Sequence, residues 1–224
     1  MANEDDRLTM LEKGVAKINK KLKNICENNL EIKKIYKGVQ IYFSPVIIKP
    51  QFMFIGINPG QGYFKQNKKP VFKLKPLEKN EYIEIPDYNL SGDWNYVFSE
   101  LKSKKKLEKS FKSNCYYFAT ANYIELKNML KIIKQKYKID IDELSKKWTR
   151  EMIDIIKPNL IICEGFQAFS RLLKSYENEY CNLKENKTYK FADIGSFRTY
   201  AFKRNISSRF SNIDEVIDIL SDEV

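Results

Sequence analysis

Apolar residues recur at Leu8, Leu11, Val15, Ile18, Leu22 and Ile25, at gaps that alternate between three and four. That rhythm predicts one long helix with a single apolar stripe. The helical segment spans about 5–36 and packs on the domain's own core. Short apolar runs follow at Pro45–Ile48 and Phe52–Ile57. Phe52-Met53-Phe54-Ile55 is apolar on both alternating faces, as a buried central strand requires. The stretch from Gln61 to Ser91 is rich in Lys, Pro and Asn and lacks periodicity, so a long loop is expected. Trp94, Val97, Phe98 and Leu101 mark a short helix.

Cys115-Tyr116-Tyr117-Phe118-Ala119-Thr120-Ala121 predicts a second buried strand. Asp140 and Glu143 form a capping-box pattern before a helix carrying Ile141, Leu144, Trp148, Met152 and Ile155, which stops at Pro158. Leu160–Cys163 is a third buried strand, and after Gly165 a helix carries Phe169, Leu172 and Leu173. Thr188–Ile194 and Thr199–Phe202 are further strands. A last helix bears Ile213, Val216, Ile217 and Leu220, opened by Ser211 or Asn212. Strands alternating with helices predict an α/β fold: a three-layer α/β/α sandwich with a central, mostly parallel sheet. At 224 residues the chain suits one domain over 1–224.

Charge narrows the partners. Forty basic residues face 29 acidic ones, and the net charge of +11 favours a polyanion, since phosphates are met mostly by Lys and Arg. Lysines that merely solvate a surface give the same count. The absence of histidine removes imidazole acid–base chemistry and His-ligated metals. Cys26, Cys115, Cys163 and Cys181 form no C-x-x-C pair, so neither a metal nor an iron–sulfur cluster is expected and the thiols are taken as reduced. No apolar run approaches the ~20 residues of a membrane span. The acidic start Met1-Ala2-Asn3-Glu4-Asp5-Asp6 is unlike a secretory signal, so a soluble cytoplasmic protein, monomeric and without cofactor, is the expectation.

Three polar segments follow predicted strands, where open α/β sheets bind ligands. Gly56-Ile57-Asn58-Pro59-Gly60 follows the first; its glycines admit close backbone approach and its proline aims Asn58. An ordinary turn accounts for the same residues. Asn122-Tyr123 ends the second strand, where an asparagine needs partners from the loop or a ligand. Asn205-Ile206-Ser207-Ser208-Arg209 follows the last strand, beside Arg198, Lys203 and Arg204; a helix cap with a solvated basic patch is the alternative there.

Together these segments resemble the uracil-DNA glycosylase superfamily, nearest to its single-strand-selective monofunctional and mismatch-specific uracil/thymine branches. Gly56 to Gly60 matches the G-[IM]-N-P-G motif of both branches, and Asn122-Tyr123 matches the N-Y pair of the first. Asn205-Ile206-Ser207-Ser208 is similar to N-P-S-G with its proline lost. The resemblance implies a uracil-DNA glycosylase-like fold and a monofunctional DNA glycosylase. Such an enzyme flips uracil or another altered pyrimidine out of single- or double-stranded DNA, in repair or in defence against modified foreign DNA.

It further implies that Asn58 positions water, that Asn122 reads the base, and that Asn205 stands where relatives place a histidine against the base O2. Phe72, one residue further along than the family's aromatic, is the stacking candidate, with Tyr63 or Phe64 in reserve. Stacking of that kind offsets the few kcal/mol that flipping costs. Ser207, Ser208, Arg204 and Arg209 would hold phosphates, with lysines of the 65–79 loop adding attraction. Asn58 stands where a catalytic aspartate is found in many relatives, and an amide orients water without accepting its proton. A non-catalytic nucleic-acid-binding protein that keeps the fold is therefore the alternative. A nucleotide-metabolising enzyme is disfavoured by the lack of G-x-x-x-x-G-K-[ST] or G-x-G-x-x-G.

Overall fold

The computed structural model describes residues 3–60, 74–86, 89–177, 179–205 and 209–224. The chain divides into two compact units, each assembled from three separate stretches. Unit one comprises Met1–Tyr42, Ile57–Lys75 and Asn114–Ile155; unit two comprises Phe43–Gly56, Pro76–Ser113 and Ile156–Val224.

Unit one opens with α1 (Glu4–Asn28), capped by the Asn3 side chain accepting from Asp6 N at 2.8 Å. All six predicted stripe residues of α1 are buried. The helix ends at Asn28, and Asn29 then caps a separate short helix, α2 (Leu30–Ile35). The periodicity carries across this break, so the single helical segment expected from sequence is two helices. β1 (Gly38–Val39) pairs antiparallel with β4 (Phe118–Ala119). Tyr117 stacks on Trp148, at 6.1 Å between ring centroids, and Tyr36 donates its hydroxyl to Asn19 Oδ1 at 2.5 Å.

Unit two holds a six-stranded mixed sheet. Its order is β3-β2-β5-β8-β7-β6, built from β2 (Phe52–Gly56), β3 (Phe111–Asn114), β5 (Leu160–Cys163), β6 (Tyr180–Glu185), β7 (Tyr189–Ile194) and β8 (Phe197–Phe202). β2, β5 and β8 run parallel, with Phe54 opposite Ile162 and Ile162 opposite Tyr200. β7 and β6 add on antiparallel. The helices of this unit are α3 (Glu81–Glu84), α4 (Asn89–Glu100), α5 (Lys104–Glu108), α8 (Phe166–Ser175) and α9 (Ile213–Ser221). In unit one, α6 (Tyr123–Tyr137) and α7, which runs on to Ile156, complete the set.

One face of the sheet carries Phe52, Phe54, Leu160, Ile162 and Phe202 into a cluster with Trp94 and Phe98 of α4 and with Val216 and Leu220 of α9. Phe54 meets Trp94 edge to face at 4.9 Å and Tyr82 at 5.0 Å. The alternate residues Met53, Ile55, Ile161 and Cys163 are equally buried, so both faces of these strands are covered.

The α/β class holds, with three local corrections. Cys115–Ala121 is not one strand: the sheet strand is Phe111–Asn114, and only Phe118–Ala119 pairs further on. Phe111-Lys112-Ser113-Asn114 escaped apolar-run reasoning because its polar side chains are buried among partners. The loop from 61 to 91 ends early, since Asn80 caps α3 by accepting from Tyr82 N at 3.0 Å, and α4 begins at Asn89. β6 was not expected either; every one of its residues is exposed, so no apolar alternation marks it. Among the described residues, no helix is long and apolar enough to cross a membrane.

Candidate functional site

The Gly56–Gly60 segment leaves the carboxyl end of β2, and Ile57 O accepts from Tyr116 N at 2.9 Å. Asn58 is half-buried. Its Nδ2 donates to Pro59 O and to Thr120 Oγ1, both at 3.1 Å. The buried Thr120 hydroxyl donates in turn to Asn122 O at 2.7 Å. Thr120 thus joins the first two expected asparagines, which lie far apart in sequence. No donor among the described residues reaches Asn58 Oδ1, so that acceptor remains for a water or ligand. Gly60 is exposed, with nothing within 4 Å of where a Cβ would stand.

Asn122 is exposed and is the N-cap of α6: its Oδ1 accepts from Glu125 N at 2.9 Å. Satisfying an orphan helix donor is the commonest work of an asparagine at this position. Because the oxygen is committed, the side chain presents its NH₂ as the group for a ligand, rather than the donor–acceptor pair expected from residue type. At the opposite end of α6, a surface hollow of about 560 Å³ is lined by Lys131, Lys134, Gln135, Lys138 and Asp140. At 1.5 Å rise per residue it lies roughly 20 Å from Asn122 and is no part of this arrangement.

In unit two, Asn205 and Arg209 clasp each other. Asn205 N donates to Arg209 O at 2.9 Å, and Asn205 Oδ1 accepts from Arg209 N at 3.2 Å. The buried Asp93 of α4 holds this segment with both oxygens, accepting from Arg209 Nη1 at 2.8 Å and from Phe210 N at 2.8 Å. Arg209, expected on a phosphate, is therefore already paired, although its side chain stays 55% exposed. Tyr63, Phe64, Phe72, Ser207 and Ser208 lie outside the described residues.

The strongest electrostatic feature of unit two was not anticipated from sequence. Lys112 on β3 is buried between two carboxylates, 2.9 Å from Glu81 Oε2 and 2.7 Å from Glu164 Oε1. Its ammonium lies 4.0 Å from the centre of the Tyr82 ring, and the Tyr82 hydroxyl donates to the same Glu164 oxygen. Burial opposes every charge here, yet the mutual attraction prevails. Desolvation pushes the Glu164 carboxyl up, but Lys112 and then Arg204 draw it below the usual carboxylate range. Desolvation likewise pushes Lys112 down, and Glu164 and Glu81 more than restore it, to above the ordinary lysine value. Burial first, then Glu164, keeps Tyr82 protonated as a donor.

Glu164 directly follows β5, and its N–H donates to Ile55 O at 2.8 Å, so it stands at the carboxyl edge of adjacent parallel strands. Arg204, just past β8, occupies the same edge and lies over Gly165, whose φ is +98°. A Cβ at 165 would stand 3.5 Å from Arg204 Nε. The sequence signal for Glu164 existed, a charge at a strand mouth like the amide of Asn58. Glu81 and Tyr82 gave none, lying in what looks like a polar loop. No protein-family model matches the sequence, and no curated protein matches it.

Proposed function

We propose that the chain is a monofunctional DNA glycosylase that flips out uracil or another altered pyrimidine and cleaves its N-glycosidic bond, on a uracil-DNA glycosylase-like three-layer scaffold. The observation that carries this reading is the Asn58–Thr120–Asn122 chain of hydrogen bonds. It holds one amide with its oxygen unclaimed by any described residue, and sets beside it a second that offers a donor. Asn58 Oδ1 orients the attacking water. The Asn122 NH₂ donates to an acceptor on the base, such as uracil O4 or cytosine N3. An amide cannot take the proton of that water, so orientation and electrostatics supply the rate and turnover is slow. A surplus of +11 draws the phosphates in, with Arg204 available for direct contact. No lysine lies within the motifs to form an imine, which favours a monofunctional reaction.

One observation favours the second reading, a non-catalytic DNA-binding protein. The amide oxygens of Asn122 and Asn205 are both occupied by main-chain N–H groups, as purely structural asparagines would be. Base release from single- and double-stranded oligonucleotides carrying uracil, thymine mismatches or hypermodified cytosines decides between them. Excision by the native chain, abolished in Asn58→Ala with DNA affinity retained, is the expected result. Folded protein that releases none of these bases overturns the enzymatic reading.

A further inference from the structure

Glycosidic cleavage through a cationic sugar is helped by a nearby carboxylate, and neither Asn58 nor Asn122 supplies one. Unit two contains a carboxylate in the position where an α/β sheet places its chemistry. Glu164 stands at the carboxyl end of β5, the strand between β2 and β8, with its side chain only 9% exposed. Lys112 and Tyr82 both bind its Oε1, and Oε2 has no partner among the described residues. An ion network that served stability alone would be expected to use both oxygens, as Asp93 does with Arg209 and Phe210. Resting on the glycosylase reading, we infer that Glu164 is a catalytic carboxylate whose Oε2 faces the reacting sugar.

The step is balanced without any other reactant. The bond from C1′ to the base nitrogen breaks and its electron pair leaves with the base. The water oxygen bonds to C1′, and the proton it sheds passes to Glu164 Oε2 and then to solvent. Before attack, the same carboxylate stabilises the positive charge developing on the sugar. Lys112 and Tyr82, anchored on Oε1, and Glu81, paired to Lys112, are positioning residues that hold Oε2 outward. Lys112, Glu81, Tyr82 and Arg204 are the charged or titratable groups around Glu164. All but Glu81 favour its ionised form.

The test is the single-turnover rate of base release by the full chain, from whichever oligonucleotide it cleaves, between about pH 4 and 9. Glu164→Gln is expected to lose roughly 100-fold or more in rate, the scale of a general base, while DNA affinity and melting temperature stay near native. The native rate should fall in acid as Glu164 protonates, and this acid limb should be absent in the Gln variant. Tyr82→Phe breaks the contact to the same carboxylate but keeps its charge, so its rate should remain within about threefold of native. Should Glu164→Gln fail to fold, Glu164→Asp takes its place, because withdrawing the carboxylate slows a catalytic group and leaves a structural one silent. Equal losses in Glu164→Gln and Tyr82→Phe, both melting early, would make the network structural and overturn the inference. Native-like release by Glu164→Gln overturns the role of Glu164 alone, whereas no release by the native chain sinks the glycosylase reading and this inference with it.

Discussion

Replacing Lys112 with methionine removes one charge from the interior of unit two while keeping an unbranched apolar stem. The lysine side chain is 5% exposed, and Glu164 and Glu81 are 9% and 11% exposed. Neither carboxylate can therefore turn to water once its partner is gone. Breaking a buried pair from one side costs about 3–5 kcal/mol, because a charge is left uncompensated. The lost ammonium–ring contact with Tyr82 belongs to the same removal, and its ~2 kcal/mol is not added separately. Against a typical total of about 5–15 kcal/mol, this is a large fraction.

Urea unfolding at neutral pH measures it. Trp94 lies in unit two and Trp148 in unit one, so a Trp148→Phe background lets Trp94 fluorescence report unit two. The deficit should also shrink in acid. In the native protein Glu164 titrates below its ordinary value of 4.5, so its contribution is present above that pH and is lost as pH falls through the folded value. In Lys112→Met the two carboxylates face each other in a dry site, which raises their folded pKa; protonation then relieves the variant as pH falls. Both effects act in the same direction. A cost below about 1 kcal/mol at neutral pH, or one unchanged down to about pH 4, would refute this account of the network.

Asn122→Ala removes the cap of α6 and should cost about 1 kcal/mol by chemical denaturation. If the residue also reads the base, excision must fall well beyond what that destabilisation explains, whereas an unaltered preference among target bases would leave it a cap only. Gly165→Ala places a Cβ on a residue with φ of +98° and 3.5 Å from Arg204 Nε. It should destabilise by roughly 1–2 kcal/mol through backbone strain, and a melting temperature equal to native would show that the turn relaxes freely.

Local order was legible wherever side-chain chemistry follows chain periodicity. The stripe of α1, the buried runs Phe52–Ile55 and Leu160–Cys163, and the caps before α7 and α9 all stand close to where pattern and capping place them. These features depend on neighbours three or four residues away, or on alternation, and hydrophobic burial selects them without reference to the rest of the fold. The α/β class and the placing of polar turns after strands follow from the same patterns.

Pairings across long sequence separations were settled by tertiary structure alone. Phe111–Asn114 is a buried sheet strand because Glu81 and Glu164 neutralise Lys112, and neither carboxylate is near it in sequence. Thr120 connects Asn58 to Asn122, and Asp93 claims an arginine that sequence left free for phosphate. A polar residue is tolerated in a core only if its partner arrives there too. Composition and spacing show the residue, but only the folded chain shows which distant group meets it.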